Sequence, residues 1–278
     1  MSSATEPIRV KPDSGEPAAR DGPHTLIRLE AVSKQFGGHP VFRDLTLEFR
    51  RGETAVVLGA SGVGKSVMLK LILGLVKPDA GRIFIDGTEI TRLSERRLMP
   101  LRTRFGMLFQ GAALFDFLTV YENVAFAVRE HKNWPERRIR EVVRQKLALV
   151  DMDGTENLLP EELSGGMRKR VGLARAIAID PEVILYDEPT TGLDPVTADT
   201  INSLLVRCQQ ELKTTSIVVT HDMASAYKVG DRLVMLHEGK VIADGPPEVI
   251  RGHGDVRVQR FIHGDASLAA TPPQGDIP

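Results

Sequence analysis

Gly59-Ala-Ser-Gly-Val-Gly-Lys-Ser66 is the stretch that decides the fold. It fits the phosphate-loop pattern G-x-x-x-x-G-K-[ST] at every fixed position. Its flanks agree. Thr54 to Leu58 is apolar and β-branched and predicts a strand, whereas Val67 to Leu73 carries helix formers and predicts a helix. Strand, glycine loop and helix in that order make an anion site. Backbone N–H groups curl round a phosphate, and the helix N-terminus adds its dipole. Gly59, Ser61, Gly62, Val63 and Gly64 are the expected cradle. Lys65 can reach the β- and γ-phosphates of a nucleotide, and Ser66 can offer its hydroxyl to Mg²⁺.

The rest of the chain bounds what surrounds that loop. Its 278 residues allow one large domain or two small ones. With 36 basic and 37 acidic side chains there is no general electrostatic case for nucleic acid. The single cysteine, Cys208, sits in a polar, helical-looking segment and has no internal disulfide partner, which is consistent with a reducing compartment. No apolar run approaches a membrane span, and the N-terminus lacks the apolar core of a signal peptide. The expectation is a soluble chain, or one held at a membrane by a partner. Residues 1–24 and the tail 264–278 are rich in Pro, Gly and Ala and read as disordered, leaving a domain over 25–263.

Within that domain, alternation from Thr25 to Ala31, then Val41 to Phe49 and Arg82 to Asp86, predicts an antiparallel β subdomain beside the phosphate loop. Between Thr119 and Asp151 the pattern is helical. Pro135 opens a stretch that places Ile139, Val142, Val143, Leu147 and Val150 on one face. This helical insert is expected over about 111–178. Phe105 to Phe109, Glu182 to Tyr186, Ser216 to Thr220 and Arg232 to Leu236 are short apolar strands separated by helical segments. Such alternation predicts an α/β fold with a mostly parallel sheet.

Val183-Ile-Leu-Tyr-Asp-Glu188 carries the second chemical signal. A buried strand ending in Asp places that carboxylate at the carboxyl edge of the sheet, where ligands bind in parallel α/β folds. Asp187 is then placed to hold Mg²⁺, directly or through water. Glu188, facing the other way as the next strand residue, is the natural general base for a water attacking the γ-phosphate.

Leu163-Ser-Gly-Gly-Met167, opening a helix upstream of VILYDE, resembles the signature of the ATP-binding-cassette (ABC) ATPases. The other family marks follow in order. Phe36 matches the aromatic that stacks on adenine, and Gln110 the Q-loop glutamine. Gly192-Leu-Asp-Pro195 matches the D-loop and His221 the switch histidine. The resemblance implies a P-loop NTPase core and a head-to-tail homodimer holding two ATP and Mg²⁺. Each nucleotide would lie between one subunit's phosphate loop and the partner's signature. In the family's terms Glu188, His221 and Gln110 are catalytic. Ser164, Gly165, Gly166 and Asp194 contact ATP, and Ser66, Gln110 and Asp187 serve Mg²⁺. Met167 stands where glutamine is usual and Phe36 where tyrosine is usual.

SGGMRKR, with the segments Phe109 to Phe115 and Phe126 to His131, is similar to the Mla-type ATPases of phospholipid trafficking, which work with MCE-domain proteins. That likeness implies an energy-coupling subunit, peripheral on the cytoplasmic side of the inner membrane. A permease would dock after Gln110. Leu114, Phe115, Phe117 and Leu118 read either as an apolar socket for it or as core of the helical insert. Arg168, Lys169 and Arg170 read as a solvated helix face. His24, His39, His131, His237, His253 and His263 show no metal-ligand spacing. A soluble ABC ATPase of DNA repair or translation, an ABC subunit for another substrate, and an ATP sensor without turnover are the alternative functions. A single cassette argues against the first, and Glu188 with His221 against the last.

Overall fold

The computed structural model describes residues 25–264. The segment 1–24 and all but the first residue of the tail lie outside the described residues. The element order is β1 (Thr25–Phe36), β2 (His39–Arg50), β3 (Thr54–Leu58), α1 (Lys65–Ile72), β4 (Ala80–Ile85), β5 (Thr88–Glu89), α2 (Glu95–Arg102) and β6 (Phe105–Leu108). Three helices follow: α3 (Val120–His131), α4 (Glu136–Leu149) and α5 (Gly165–Ala176). The chain then runs β7 (Val183–Asp187), α6 (Pro195–Leu212), β8 (Thr215–Thr220), α7 (Met223–Val229), β9 (Arg232–His237), β10 (Lys240–Gly245), α8 (Pro247–Arg251) and α9 (Val256–His263).

Two sheets form. The larger has the order β10-β9-β3-β8-β7-β6, parallel throughout except for the antiparallel edge pair β10 and β9. The smaller, β2-β1-β4-β5, is wholly antiparallel. This is the mixed α/β architecture expected from the sequence.

Side-chain parity divides the interior. Val56, Leu58, Ile184, Tyr186 and Val218 face one hydrophobic cluster, together with α3, α4 and α5. Ala55, Val57, Leu185, Ile217 and Val219 face the other, with α1 and the antiparallel sheet. Successive strand residues point to opposite faces, and both faces are covered, so these strands read as unbroken apolar runs. The same logic corrects one expectation. Leu26, Ile27, Arg28 and Leu29 are all buried, so β1 is not the half-exposed alternating strand its sequence resembles.

The helical block is locally well specified. Thr119 caps α3 by accepting from the Glu122 N–H while the Glu122 carboxylate accepts from the Thr119 N–H, a reciprocal capping box. Pro135 stands at the N-cap of α4, as the sequence indicated. Asn123 is fully buried in α3. It accepts from the Phe115 N–H at 2.8 Å and donates to the carbonyls of Phe115, Leu118 and Thr119. One amide thereby holds the apolar loop from Phe115 to Thr119.

Candidate nucleotide site

The strand order brings the sequence motifs together. β3, β8 and β7 are neighbours, so the loops leaving their carboxyl ends share one edge. These loops carry Gly59 to Ser66, His221, and Asp187 with Glu188. β6 flanks β7, so Gln110 stands on the same edge. The strand ends at Leu108, one residue short of the expected Phe109, and Gln110 lies in the turn beyond it.

The phosphate loop needs its glycines for two separate reasons. Gly64 has φ +106, and a Cβ there would come within 2.5 Å of Val41 and 2.9 Å of Phe42. The loop therefore closes against β2. Lys65 is buried and its ammonium donates to the carbonyls of Gly59 at 2.7 Å and Ala60 at 3.2 Å. It also lies 3.3 Å from a carboxylate oxygen of Glu188. Ser66 donates its hydroxyl to Asp187 at 2.7 Å. A hydroxyl paired with a carboxylate at the mouth of a phosphate loop is an all-oxygen donor set. It fits a magnesium ion that keeps waters and binds nucleotide phosphates.

Glu188 corrects the sequence reasoning about its direction. It lies just past β7 and has φ +48, a left-handed conformation uncommon for a residue with a side chain. The turn, not strand alternation, aims its carboxylate. Such a backbone costs on the order of 1–3 kcal/mol and persists only where the surroundings fix it. Those surroundings are visible. Its N–H donates to Val219 O at 2.9 Å. Its carboxylate accepts from Thr191 Oγ1 at 3.1 Å and pairs with His221 Nδ1 at 2.9 Å. Burial would raise its pKa, but the His221 hydrogen bond and the Lys65 charge outweigh burial and hold it below the ordinary carboxylate value. Glu188 is thus an ionised carboxylate in a partly dry site.

A second tie joins the same two loops behind this pair. Ser225, almost fully buried, donates to Asp222 Oδ2 at 2.5 Å and accepts from Asn202 Nδ2 at 2.8 Å. Thr190 Oγ1 lies 3.3 Å from the same hydroxyl. The residue next to His221 and the residue two past Glu188 are therefore held through one serine. No sequence pattern marks this tie, because small polar residues in helices show no periodic signal.

The signature segment opens α5. Ser164 is the N-cap and accepts from the Met167 N–H at 3.2 Å, so its hydroxyl first serves the helix. Ser164 and Gly165 are exposed. Gly166 is buried, and a Cβ on it would sit 2.6 Å from Thr197. Asp194 caps α6, accepting from the N–H groups of Val196 and Thr197 at 3.0 Å. Phe36 ends β1 with an exposed ring and the Lys34 ammonium 5.1 Å from its centre.

The solvated-face expectation fails at Lys169. That side chain is only 5% exposed and donates to the carbonyls of Gln110 and Glu188. Burial lowers its pKa, partly offset by Asp187 and Glu188. Arg168 bends to Leu163 O, and Arg170 pairs loosely with Asp151 at 3.8 Å.

The four apolar residues after Gln110 divide. Leu114 packs on the core, Leu118 is half-buried, and Phe115 and Phe117 are 36% and 80% exposed. The Phe115 and Phe126 rings lie 5.0 Å apart, tilted at 51°, and both line a largely apolar groove of about 460 Å³ with Met99, Met107, Phe109 and Arg175. Among the described residues no helix is long and apolar enough to cross a membrane, and no cluster of three or more His, Cys, Asp or Glu forms a metal site.

Fold and site together define a phosphate-loop nucleotide-binding cassette. The ABC transporter family model matches residues 42–191, and the chain belongs to that family. It is 42% identical to the intermembrane phospholipid transport system ATP-binding protein MlaF of Haemophilus influenzae, over 87% of this chain and 91% of that one. It is 43% identical to the probable ribonucleotide transport ATP-binding protein mkl of Mycobacterium tuberculosis, over 86% of this chain. The chain spans only 66% of that relative's length. Among solved structures, it is similar to the dimeric ATP-binding cassette MJ0796 in a post-hydrolysis state bound to ADP and Pi. The TM-score is 0.74 and the identity 32%, over 80% of this chain and 99% of that one.

Proposed function

We propose that this chain is the ATP-hydrolysing, energy-coupling subunit of a membrane ABC transporter that moves phospholipid. The observation that carries the proposal is the Lys65–Glu188–His221 cluster at the strand edge, beside Ser66 and Asp187. A phosphate loop supplies binding. An ionised carboxylate held by a histidine supplies a base for water, which a pure ATP sensor does not need. Gly59, Ser61, Gly62, Val63, Gly64 and Lys65 bind the triphosphate, and Phe36 stacks on the base. Ser66, Asp187 and Gln110 hold Mg²⁺, which when bound neutralises charge on the β- and γ-phosphates.

Ser164, Gly165, Gly166 and Asp194 act on the nucleotide of a second copy of the chain. The exposed Ser164 and Gly165 at the start of α5 support that arrangement, because a helix N-terminus that reaches solvent favours an anion from outside. The dimeric MJ0796 cassette supports it as well. ATP closes the homodimer and hydrolysis reopens it.

The apolar groove lined by Phe115 and Phe126 receives a helix of the permease, so the chain is peripheral on the cytoplasmic face of the inner membrane. An MCE-domain protein completes the system. Phospholipid is the proposed cargo because the relative named as a phospholipid transport ATP-binding protein, MlaF, is 42% identical over 87% of this chain. The test is purification from membranes, identification of copurifying chains by mass spectrometry, and assay of the complex for magnesium- and ATP-dependent movement of labelled phospholipid between vesicles. Copurification with ribosomes or DNA ends instead would overturn the transporter reading.

A further inference from the structure

The face of α5 turned toward β6 and its following loop is marked by three residues at three-residue spacing: Lys169, Gly172 and Arg175. Each meets the segment from Leu108 to Ala113. Lys169 donates to Gln110 O. Gly172 lies so close that a Cβ would stand 2.9 Å from Leu108 and 3.1 Å from Ala112. Arg175, held largely out of water, donates to Ala112 O at 2.8 Å and Ala113 O at 2.7 Å. Ala112 and Ala113 both have positive φ, 59° and 50°, a conformation that aims their carbonyls and that such residues hold only under constraint. On the far side, Gly166 packs tightly on Thr197 in the first turn of α6. The signature helix and the loop after Gln110 are thus fastened as one body.

Lys169 alone of the three also reaches the hydrolytic centre. Its ammonium stands 3.3 Å from the carbonyl oxygen of Glu188, the residue with the left-handed backbone. Lys169 sits on the same helix face as Gly165 and Gly166, one turn further in.

We propose that Lys169 is a positioning residue that links the two nucleotide sites of the dimer, fixing the Glu188 main chain of its own subunit to the helix that meets the partner's nucleotide. This rests on the ATPase reading given above. A shift of α5 when the partner's phosphate arrives is passed through one buried ammonium to the Glu188 turn and the Gln110 turn together. The same link carries displacement of the groove loop, fastened by Arg175, to the base. Glu188 then reaches its working geometry only when both nucleotides are in place.

The experiment compares native full-length protein, Lys169→Met and Lys169→Arg by steady-state hydrolysis against ATP concentration, with thermal unfolding measured alongside. In Lys169→Met, kcat is expected to fall at least tenfold and the Hill coefficient to drop toward one. KM should stay within about threefold, since no contact to nucleotide is removed. Lys169→Arg, which keeps charge and donors, should restore most of both. A lower unfolding temperature with unchanged kcat per folded site and unchanged cooperativity would overturn the proposal and leave Lys169 a structural cation. If Lys169→Met does not fold, Lys169→Gln, which keeps a donor without the charge, is read by the same criteria. Native protein that shows no hydrolysis abolished by Glu188→Gln would instead sink the ATPase reading itself.

Discussion

His221 Nδ1 lies 2.9 Å from Glu188 Oε2. The glutamate is held below its ordinary pKa, so it has no proton to give, and Nδ1 must carry the one in the bond. Glu188→Gln keeps the shape and an acceptor for His221 but removes the base. Turnover should fall about 10²–10⁴-fold, the range for loss of a positioned general base. Bound ATP should persist and the dimer accumulate, read by light scattering with radiolabelled nucleotide. Native turnover in this variant would disprove the assignment of the base.

Lys65 offers a different readout. Its ammonium is buried and close to Glu188, so it is poised between the loop carbonyls and an anion. Lys65→Ala removes a charge-assisted donor worth about 1.5–3 kcal/mol. Affinity for ATP should weaken by roughly 10- to 150-fold in a fluorescent-nucleotide titration, as that energy converts. Unchanged affinity is incompatible with a phosphate-loop role.

The motifs at the strand edge were legible because a parallel sheet buries both faces. Its strands then read as apolar runs, and the polar residues that end them stand out, as Asp187 does after Val183 to Tyr186. α2 was not legible. Glu95 to Arg102 is half charged, contains Pro100, and buries only Leu98, so no apolar face announces a helix. Lys169 was misread for a related reason. A run of three cations has no pattern that marks which one turns inward, and the partners of Lys169 are main-chain carbonyls that leave no trace in the sequence. The left-handed turn at Glu188 was hidden in the same way, since it depends on Val219 of a neighbouring strand.

Cys208 tests the packing of α6. The thiol is fully buried in the main core cluster, and burial pushes its pKa up to about 12. At pH 8 the thiolate fraction is then about one in ten thousand, and only the thiolate reacts. Native protein should resist iodoacetamide for hours and take up one equivalent when unfolded in guanidinium, as weighed by intact-mass spectrometry. Rapid stoichiometric labelling of the folded chain would refute this placement of α6.

Phe115 is the probe of the groove. It is partly exposed and packs at a tilt on Phe126, so Phe115→Asp should fold with little change in unfolding temperature. A charge there opposes an apolar helix entering the groove. The ratio of hydrolysis with and without the copurifying permease should fall toward one. A ratio equal to that of the native protein would remove the groove from the coupling path.

Asn123 links that groove to stability. No apolar contact substitutes for its amide, which closes the loop from Phe115 to Thr119 through four main-chain partners. Asn123→Ala leaves the Phe115 N–H and several carbonyls to find water in a place that α3 partly covers. Each net hydrogen bond contributes about 1 kcal/mol, and a stranded buried donor costs about 1–3 kcal/mol. A loss of about 2–4 kcal/mol follows, seen as a lower midpoint in urea at unchanged slope. Phe115 and Phe117 would lose their fixed presentation, so stimulation by the permease should weaken even at temperatures where the variant is fully folded. Destabilisation without any loss of stimulation would show that the loop needs no fixed shape to receive its partner, and the role of Asn123 would then be confined to folding.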